Sequence, residues 1–254
     1  MTNKQDQAAL GGPLAGVRVI DLSAVLMGPY ATQIFGDHGA DVIKIESPEG
    51  DSTRWIGPGR HPGMGPLFLH LNRNKRSVAL DLKSPAGQAI AMDLIATADI
   101  VVENFSTGVM ARFGLDYESL RAVREDVVMI SMPLYGQTGP WGNYMGYGHV
   151  LQAAAGYNHL TGWPDEPPIG TGVAYTDFLV PHIAATALIA ALDYRRRTGV
   201  GQYIDFSQME GAVHGLGTAI LDWTANGHEQ TRMGNSDPEA APHGCYVCRD
   251  GRYV

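Results

Sequence analysis

The chain of 254 residues is 44% hydrophobic and 17% charged, a composition that provides enough apolar side chains for a sizeable globular core. The formal net charge is -8 and the basic residues are scattered, which argues against a broad nucleic-acid-binding surface. With only two cysteines there is no disulfide framework, so we expect a cytoplasmic location. Residues 1–15 begin with a polar stretch that lacks the layout of a secretory signal, and we expect a flexible tail there.

From residue 16 onward, short β-branched segments alternate with helical segments. This alternation predicts an α/β fold: a Rossmann-like parallel sheet with flanking helices. Ser84 and Pro85 mark one helix start, with serine as the N-cap and proline at the first helical position. The predicted strand segments read VRVIDLS, DVIKIES, RSVALDL, DIVVENF, VVMISMPLYG and QYIDFS.

We predict one large domain over residues 16–225, followed by a linker and the incomplete beginning of a small domain over 226–254. The closing segment HGCYVCRDGRYV predicts a hairpin that turns at Asp250 and Gly251. Its open edge indicates a fragment, an abbreviated gene product or an edge that another subunit covers. The apolar stretch 183–192 is too short to cross a bilayer, so we predict a buried helix and no membrane association.

The usual cofactor and metal motifs are missing from the sequence. The first strand-turn-helix segment lacks G-x-G-x-x-G, which argues against a nicotinamide or flavin cofactor. Cys245 and Cys248 have CxxC spacing without a second pair, and a strand would direct them apart. His149, His182 and His243 show no ligand spacing, so we predict no metal site.

Asp177 lies between a glycine-bearing segment and a long apolar helix. The local pattern by itself favours a helix-capping aspartate. Pro181 opposes that interpretation, since a helix capped at Asp177 would need a backbone donor from position 181. A carboxylate held at the edge of the first helical turn is the alternative.

Several blocks of sequence, in order and with compatible spacing, resemble the class III coenzyme A transferase family of the CaiB/BaiF type. They extend from residue 16 to about residue 213. The blocks are GVRVIDLSAVLMGPYATQIFGDHGADVIKIE, NRNKRSVALDLKSPAG, ADIVVENFSTGVMARFGLDYESL, SMPLYGQTGPW and RRTGVGQYIDFSQMEGAV. Agreement of separate blocks is more specific than any single motif.

The resemblance implies that Asp177 is the nucleophile, and that coenzyme A is a substrate rather than a tightly bound cofactor. It also implies coenzyme A contacts at Met27, Leu80, Asp81, Leu82, Lys83, Asn104, Phe105, Arg112, Met145, Gly146, Tyr147 and Gly148. Lys83 and Arg112 would supply positive charge for the phosphates. Without the resemblance, both would be interpreted as surface cations.

This sequence departs from the formyl-CoA transferases at three places. Leu26 stands where those enzymes have glutamine, Ser47 stands near their arginine, and GNSDPEAAPHG follows Met233 in place of a glycine run. We therefore expect neither oxalate nor formyl-CoA as a substrate, and a closer relation to the carnitine and benzylsuccinate transferases. Family members are also longer and form interlocked dimers, so we expect a homodimer or a heteromer with a related subunit.

The implied reaction moves coenzyme A from an acyl-CoA donor to a small carboxylic acid through an acyl-aspartyl anhydride and an aspartyl-CoA thioester. An α-methylacyl-CoA racemase is one alternative, but it requires two proton-transfer groups, and His149 lacks the aspartate that should follow it. A non-catalytic subunit of a heteromeric transferase is the other alternative.

Overall fold

A computed structural model describes residues 11–254, and residues 1–10 of the predicted tail lie outside the described residues. The described chain divides into two compact units. The first contains residues 11–145 and Asp177–Gly211, and the second contains Gly146–Thr176 and Ala212–Val254. Residues 226–254 all lie in the second unit, while the predicted domain boundary before them stays a prediction.

The first unit is built on one parallel sheet of six strands in the order β3-β2-β1-β4-β5-β6, which confirms the predicted fold class. The order reverses between β1 and β4, and open α/β sheets bind ligands beyond the carboxyl ends of the strands at such a reversal. The strands are β1 Arg18–Asp21, β2 Asp41–Glu46, β3 Lys75–Ala79, β4 Ile100–Glu103, β5 Val128–Ser131 and β6 Gln202–Asp205.

Helices cover the sheet, and their starts follow the sequence signals. Ser84 caps the third helix as predicted, since its side-chain oxygen accepts a hydrogen bond from the Gly87 N–H at 3.1 Å. The helices up to α8 are α1 Met27–Asp37, α2 Pro66–Asn72, α3 Pro85–Ile95, α4 Val109–Arg112, α5 Tyr117–Val123, α6 Gly148–Ala155, α7 Tyr157–Leu160 and α8 Tyr175–Thr198. Two more helices follow β6: α9 Gln208–His214 and α10 Gly217–Asn226.

The core of the first unit lies between the central strands and the helices. Val101 and Met129 of the sheet and Ala91 and Ile95 of α3 belong to one buried apolar cluster. Strands that are buried on both faces need nearly continuous apolar sequence, which explains why β4 and β5 read IVVE and VMIS. This packing places the central strands inside the core of the first unit.

Helix α8 differs from its sequence-based prediction in two respects. It begins at Tyr175, so Asp177 lies inside its first turn and the capping interpretation is wrong; Pro181 is also inside the helix. The helix has 24 residues, so length and composition alone would let it cross a membrane, unlike the ten-residue apolar stretch. Half of the most apolar 18-residue stretch of α8 is buried. The buried residues between Val180 and Leu192 recur at helical spacing, so one face of the helix packs inward.

The second unit contains α6, α7 and α10 and ends in a short hairpin. The Tyr157 hydroxyl donates to the Ala212 carbonyl at 2.8 Å. The hairpin pairs Val247 with Tyr253 in antiparallel fashion. Its turn contains Asp250 and Gly251, as predicted, and Gly251 has a φ of 78° that glycine adopts readily.

Candidate functional site

A cavity of about 400 Å³ opens at the carboxyl edge of the sheet in the first unit. Its walls come from the segments that follow β1, β2 and β3, together with Phe105 and Phe113. The two phenyl rings meet edge to face with centroids 6.3 Å apart. The lining residues are Leu22, Ser23, Ala24, Lys44, Ile45, Glu46, Ser47, Pro48, Glu49, Gly50, Asp51, Ser52, Leu80, Asp81, Leu82, Lys83, Phe105 and Phe113.

Part of the set of predicted coenzyme A contacts meets in this cavity. The stretch from Leu80 to Lys83 forms one wall and Phe105 forms another. Lys83 is exposed, as is Arg112 at the end of α4, and neither has an ion-pair partner among residues 11–254. Two exposed cations without carboxylate partners are suited to phosphate groups.

Three other predicted contacts are not among the residues that line the cavity. Met27 is buried with 2% of its surface exposed. Arg112 is exposed and directly precedes the lining residue Phe113 in the sequence. Asn104 has a structural task, because its side chain accepts from the Ala24 N–H at 2.8 Å and donates to the Ala24 carbonyl at 2.9 Å. Asn104 therefore fixes the position of a segment that does line the cavity.

The predicted contacts from Met145 to Gly148 fall on both sides of the division between the two units. Met145 ends the first segment of the first unit, whereas Gly146, Tyr147 and Gly148 belong to the second. Met145 and Tyr147 are 80% and 74% exposed, and α6 begins at Gly148. Their role in binding stays a prediction.

The far end of α8 shows which edge of the sheet its first turn faces. Arg195 donates to Asp99 at 2.9 Å and to Asp126 at 2.7 Å, and these aspartates lie just before β4 and β5. The carboxyl end of α8 is thus at the amino edge of the sheet. The helix rises about 27 Å between Arg195 and Asp177. A four-residue strand spans only about 13 Å, so Asp177 lies toward the carboxyl edge, as the cavity does.

A contact between α1 and α8 agrees with this placement of Asp177. Helix α1 starts at the carboxyl edge, immediately after the segment that lines the cavity. Its Tyr30 ring lies 6.0 Å from the ring of Phe178, the residue after Asp177, and 5.3 Å from the ring of His182. Asp177 itself is buried, with 7% of its surface exposed.

Beside the cavity, buried ionic groups form a network that sequence reasoning missed. Lys75 donates to the Asp21 carboxylate at 2.9 Å, and Lys44 pairs with Asp51 at 3.1 Å. The side chains of these four residues are at most 2% exposed. Lys44 was the feature of the sequence that could have indicated this network. A lysine in the middle of an apolar strand needs a buried partner for its charge.

The buried Asp21 carboxylate is kept ionised by its partners. Burial alone would raise the pKa of Asp21, but the charges of Lys75 and Lys44 and the hydroxyls of Ser23 and Thr32 lower it to about 2. Asp21 accepts from Thr32 at 2.6 Å and from the Ser23 hydroxyl at a short distance. The network therefore holds β1, β3 and the start of α1 together with ionised groups.

A second carboxylate anchors the loop after β2. Burial would raise the pKa of Glu46, but hydrogen bonds from Arg54 and Ser77 and from the Asp51 N–H lower it to about 2. Arg54 forms a bidentate pair with Glu46 at 2.6 and 2.7 Å and stacks over Phe68. These bonds order the loop of residues 47–55, whose first half lines the cavity.

No group of three or more histidine, cysteine, aspartate or glutamate side chains suited to a metal ion occurs within residues 11–254. Cys245 is exposed, Cys248 is partly exposed, and both are free thiols. His149 is exposed on α6. The described residues thus give no geometric support for a metal centre.

Comparison with known proteins identifies relatives over nearly the whole chain. Succinate--glutarate CoA-transferase of Agrobacterium fabrum is 39% identical over 94% of this chain and 62% of its own length. Acetyl-CoA:oxalate CoA-transferase of Acetobacter aceti is 39% identical over 96% of this chain and 63% of its own length. This chain thus spans about 62% of the length of the first of these relatives.

A solved structure agrees with the sequence relatives. The crystal structure of a CAIB/BAIF family protein from Brucella suis is 38% identical and covers 96% of this chain and 65% of its own, with a TM-score of 0.91. The sequence model of CoA-transferase family III matches residues 14–254. The chain therefore belongs to CoA-transferase family III, as its sequence blocks predicted.

Proposed function

We propose that the protein transfers coenzyme A from an acyl-CoA thioester to a small carboxylic acid, with Asp177 as the nucleophile. The observation that carries the proposal is a buried carboxylate in the first turn of α8, toward the same sheet edge as a cavity lined by Leu80 to Lys83 and Phe105. Family membership supports the reaction class. The names of the relatives support dicarboxylates such as succinate, glutarate and oxalate as acceptors to be tried.

In the proposed reaction, the Asp177 carboxylate forms the anhydride and thioester intermediates one after the other. The Asp177 carboxylate attacks the donor thioester carbonyl, which forms a mixed anhydride and releases coenzyme A thiolate. The thiolate attacks the aspartyl carbonyl, and the donor acid leaves as its carboxylate. The acceptor carboxylate then attacks the aspartyl-CoA thioester and displaces the thiolate, which leaves a second mixed anhydride. The thiolate attacks the acceptor's acyl carbon, which gives the new acyl-CoA and returns Asp177 to its carboxylate form. Each step forms and breaks one acyl bond.

Coenzyme A must stay bound while its thiolate leaves and returns, and the cavity supports this part of the proposal. Coenzyme A held by its nucleotide end keeps the released thiolate beside the anhydride, so binding energy far from the reacting atoms serves the chemistry. Phe105 and Phe113 provide aromatic surface for a base, and exposed Lys83 provides positive charge for phosphates.

A transfer assay tests this proposal. The protein is incubated with succinyl-CoA and with glutarate or oxalate, and new acyl-CoA is measured by liquid chromatography and mass spectrometry. Asp177→Asn should lower turnover by orders of magnitude and leave coenzyme A affinity little changed. Asp193→Asn is the matched control, since Asp193 lies on the same helix and forms an exposed pair with Arg197.

The racemase alternative gives a different result in the same experiment. Solvent deuterium would replace the α-hydrogen of a branched acyl-CoA, and no acceptor acid would form a thioester with coenzyme A. Such an outcome, independent of Asp177, would contradict the proposal. A non-catalytic subunit would show neither reaction unless a related subunit were added.

Assembly and location belong to the same proposal. We propose a homodimer, or a heteromer with a related subunit, in the cytoplasm. Analytical ultracentrifugation of the native protein tests the assembly, and a fully active monomer would contradict it. Cell fractionation tests the location, and recovery of the native protein with membranes would contradict it.

A further inference from the structure

Val25 has an unusual backbone conformation where β1 passes into α1. Its φ is 71°, and among the described residues only one other non-glycine residue, Asn74, has a positive φ. A β-branched side chain is sterically disfavoured in this region, so the surrounding structure must hold it there. The neighbouring Ser23 and Ala24 line the cavity, so the strained residue lies at the candidate site.

Side chains from three other segments hold the backbone on both sides of Val25. Asp51 accepts the Val25 N–H at 3.2 Å, and Lys44 donates to the Ser23 carbonyl at 2.6 Å. Lys44 and Asp51 also pair with each other, and each side chain is 1% exposed. Asn104 binds both backbone groups of Ala24. We call this arrangement the Val25 clamp.

The segment has little freedom to relax around the clamp. A Cβ atom added to Gly28 would lie 2.3 Å from the Ser23 Cβ, so the start of α1 is packed directly on the strand end. Tyr30 on the same helix packs against Phe178 beside Asp177. A change of conformation at Val25 would therefore move the wall of the cavity relative to the carboxylate.

We propose that Asp51, oriented by Lys44, is a positioning residue that keeps Val25 in its left-handed conformation and so aligns the acyl thioester with Asp177. This inference rests on the proposed function. A buried Lys44–Asp51 pair with a purely structural role would stabilise the protein without controlling the rate of transfer. The two roles differ in whether turnover depends on the conformation of Val25.

Variants at Asp51 and Val25 separate these roles. Asp51→Asn removes the charge through which Lys44 orients residue 51. Turnover should fall at least about tenfold, while coenzyme A affinity, measured by calorimetry, stays within about threefold. Adding Val25→Gly should restore turnover to within about threefold of the wild type, because glycine adopts a positive φ without steric cost. Asp37→Asn, which affects an ion pair with Arg73 at the other end of α1, is the control and should not change turnover.

A second comparison applies if Asp51→Asn does not fold. Val25→Pro leaves the buried pair intact but fixes φ near -65° and removes the N–H that Asp51 accepts. Turnover should fall at least about tenfold in Val25→Pro relative to Val25→Gly, with coenzyme A affinity retained in both. A Val25→Pro variant with turnover within about twofold of Val25→Gly would overturn the proposal, as would a double variant that folds but is no faster than Asp51→Asn.

Failure of the proposed function can be distinguished from failure of this inference. If the wild-type protein transfers coenzyme A to no acceptor, the proposed function fails, and the clamp is tested by amide hydrogen exchange of residues 23–28. Exchange there should be at least about tenfold faster in Val25→Pro than in Val25→Gly. Equal exchange rates would show that the clamp does not hold the segment in that conformation.

Discussion

Glu103 at the end of β4 should make the stability of the protein depend on pH. The residue is fully buried, its carboxylate accepts from the Phe105 N–H at 2.7 Å, and Gln137 donates to it at 3.4 Å. Burial raises the pKa of Glu103 from 4.5 to about 7, although hydrogen bonds from Ser131 and Phe105 oppose the rise. The nearby charge of Asp205 raises this pKa further.

The sign and size of the effect follow from this pKa. Below about pH 4.5 Glu103 is protonated in both the folded and the unfolded chain, so it does not favour either state. Between about pH 4.5 and 7 the unfolded chain releases the proton while the folded protein keeps it, so the free energy of unfolding falls as pH rises. The loss is complete above pH 7 and amounts to about 3 kcal/mol, since a tenfold change in proton affinity corresponds to about 1.4 kcal/mol.

Urea unfolding of the wild type and Glu103→Gln at several pH values between 5 and 8 measures this loss. Glutamine can still accept the Phe105 N–H but cannot ionise. The stability of the wild type relative to the variant should therefore decrease by about 2 to 3 kcal/mol across this range. Glu118→Gln, at an exposed residue of α5, should show no such trend. A difference between the wild type and Glu103→Gln that stays constant with pH would refute the reasoning.

Two further predictions concern charges at the sheet edge. Lys75→Met leaves the Asp21 carboxylate buried without its cation and should destabilise the protein by about 3 to 5 kcal/mol in urea unfolding; a loss below about 1 kcal/mol would contradict the ion-pair account. Arg112→Ala and Lys83→Ala should each weaken coenzyme A binding by about 1 to 3 kcal/mol in calorimetry, and wild-type affinity should fall with added salt. Unchanged affinity in both variants would remove these residues from the site.

The fold was largely predictable because its signals are local. Apolar β-branched segments identified all six strands, and Ser84 with Pro85 identified a helix start. The start of α8 was not predictable from the capping preference, because the helix begins two residues before Asp177 and accommodates Pro181. Local preferences assign helix ends only when no tertiary contact outweighs them.

Five of the predicted coenzyme A contacts line the cavity, although their role in binding stays a prediction, and the groups that support the cavity walls were not predicted. Sequence blocks identified Leu80 to Lys83 and Phe105, which line the cavity. The Lys44–Asp51 pair and the positive φ of Val25 arise from contacts between segments distant in sequence, and no local pattern specifies those contacts. A lysine within an apolar strand was the one visible sign of that network.

The central claim is that Asp177 becomes covalently acylated, and trapping with hydroxylamine tests it most directly. The protein is incubated with acyl-CoA donor and hydroxylamine without an acceptor, digested, and examined by peptide mass spectrometry. An activated acyl derivative of the carboxylate should be converted to a hydroxamate at Asp177, and the Asp177→Asn variant should show none. A hydroxamate at another residue, or near-wild-type transfer by Asp177→Asn, would contradict the account.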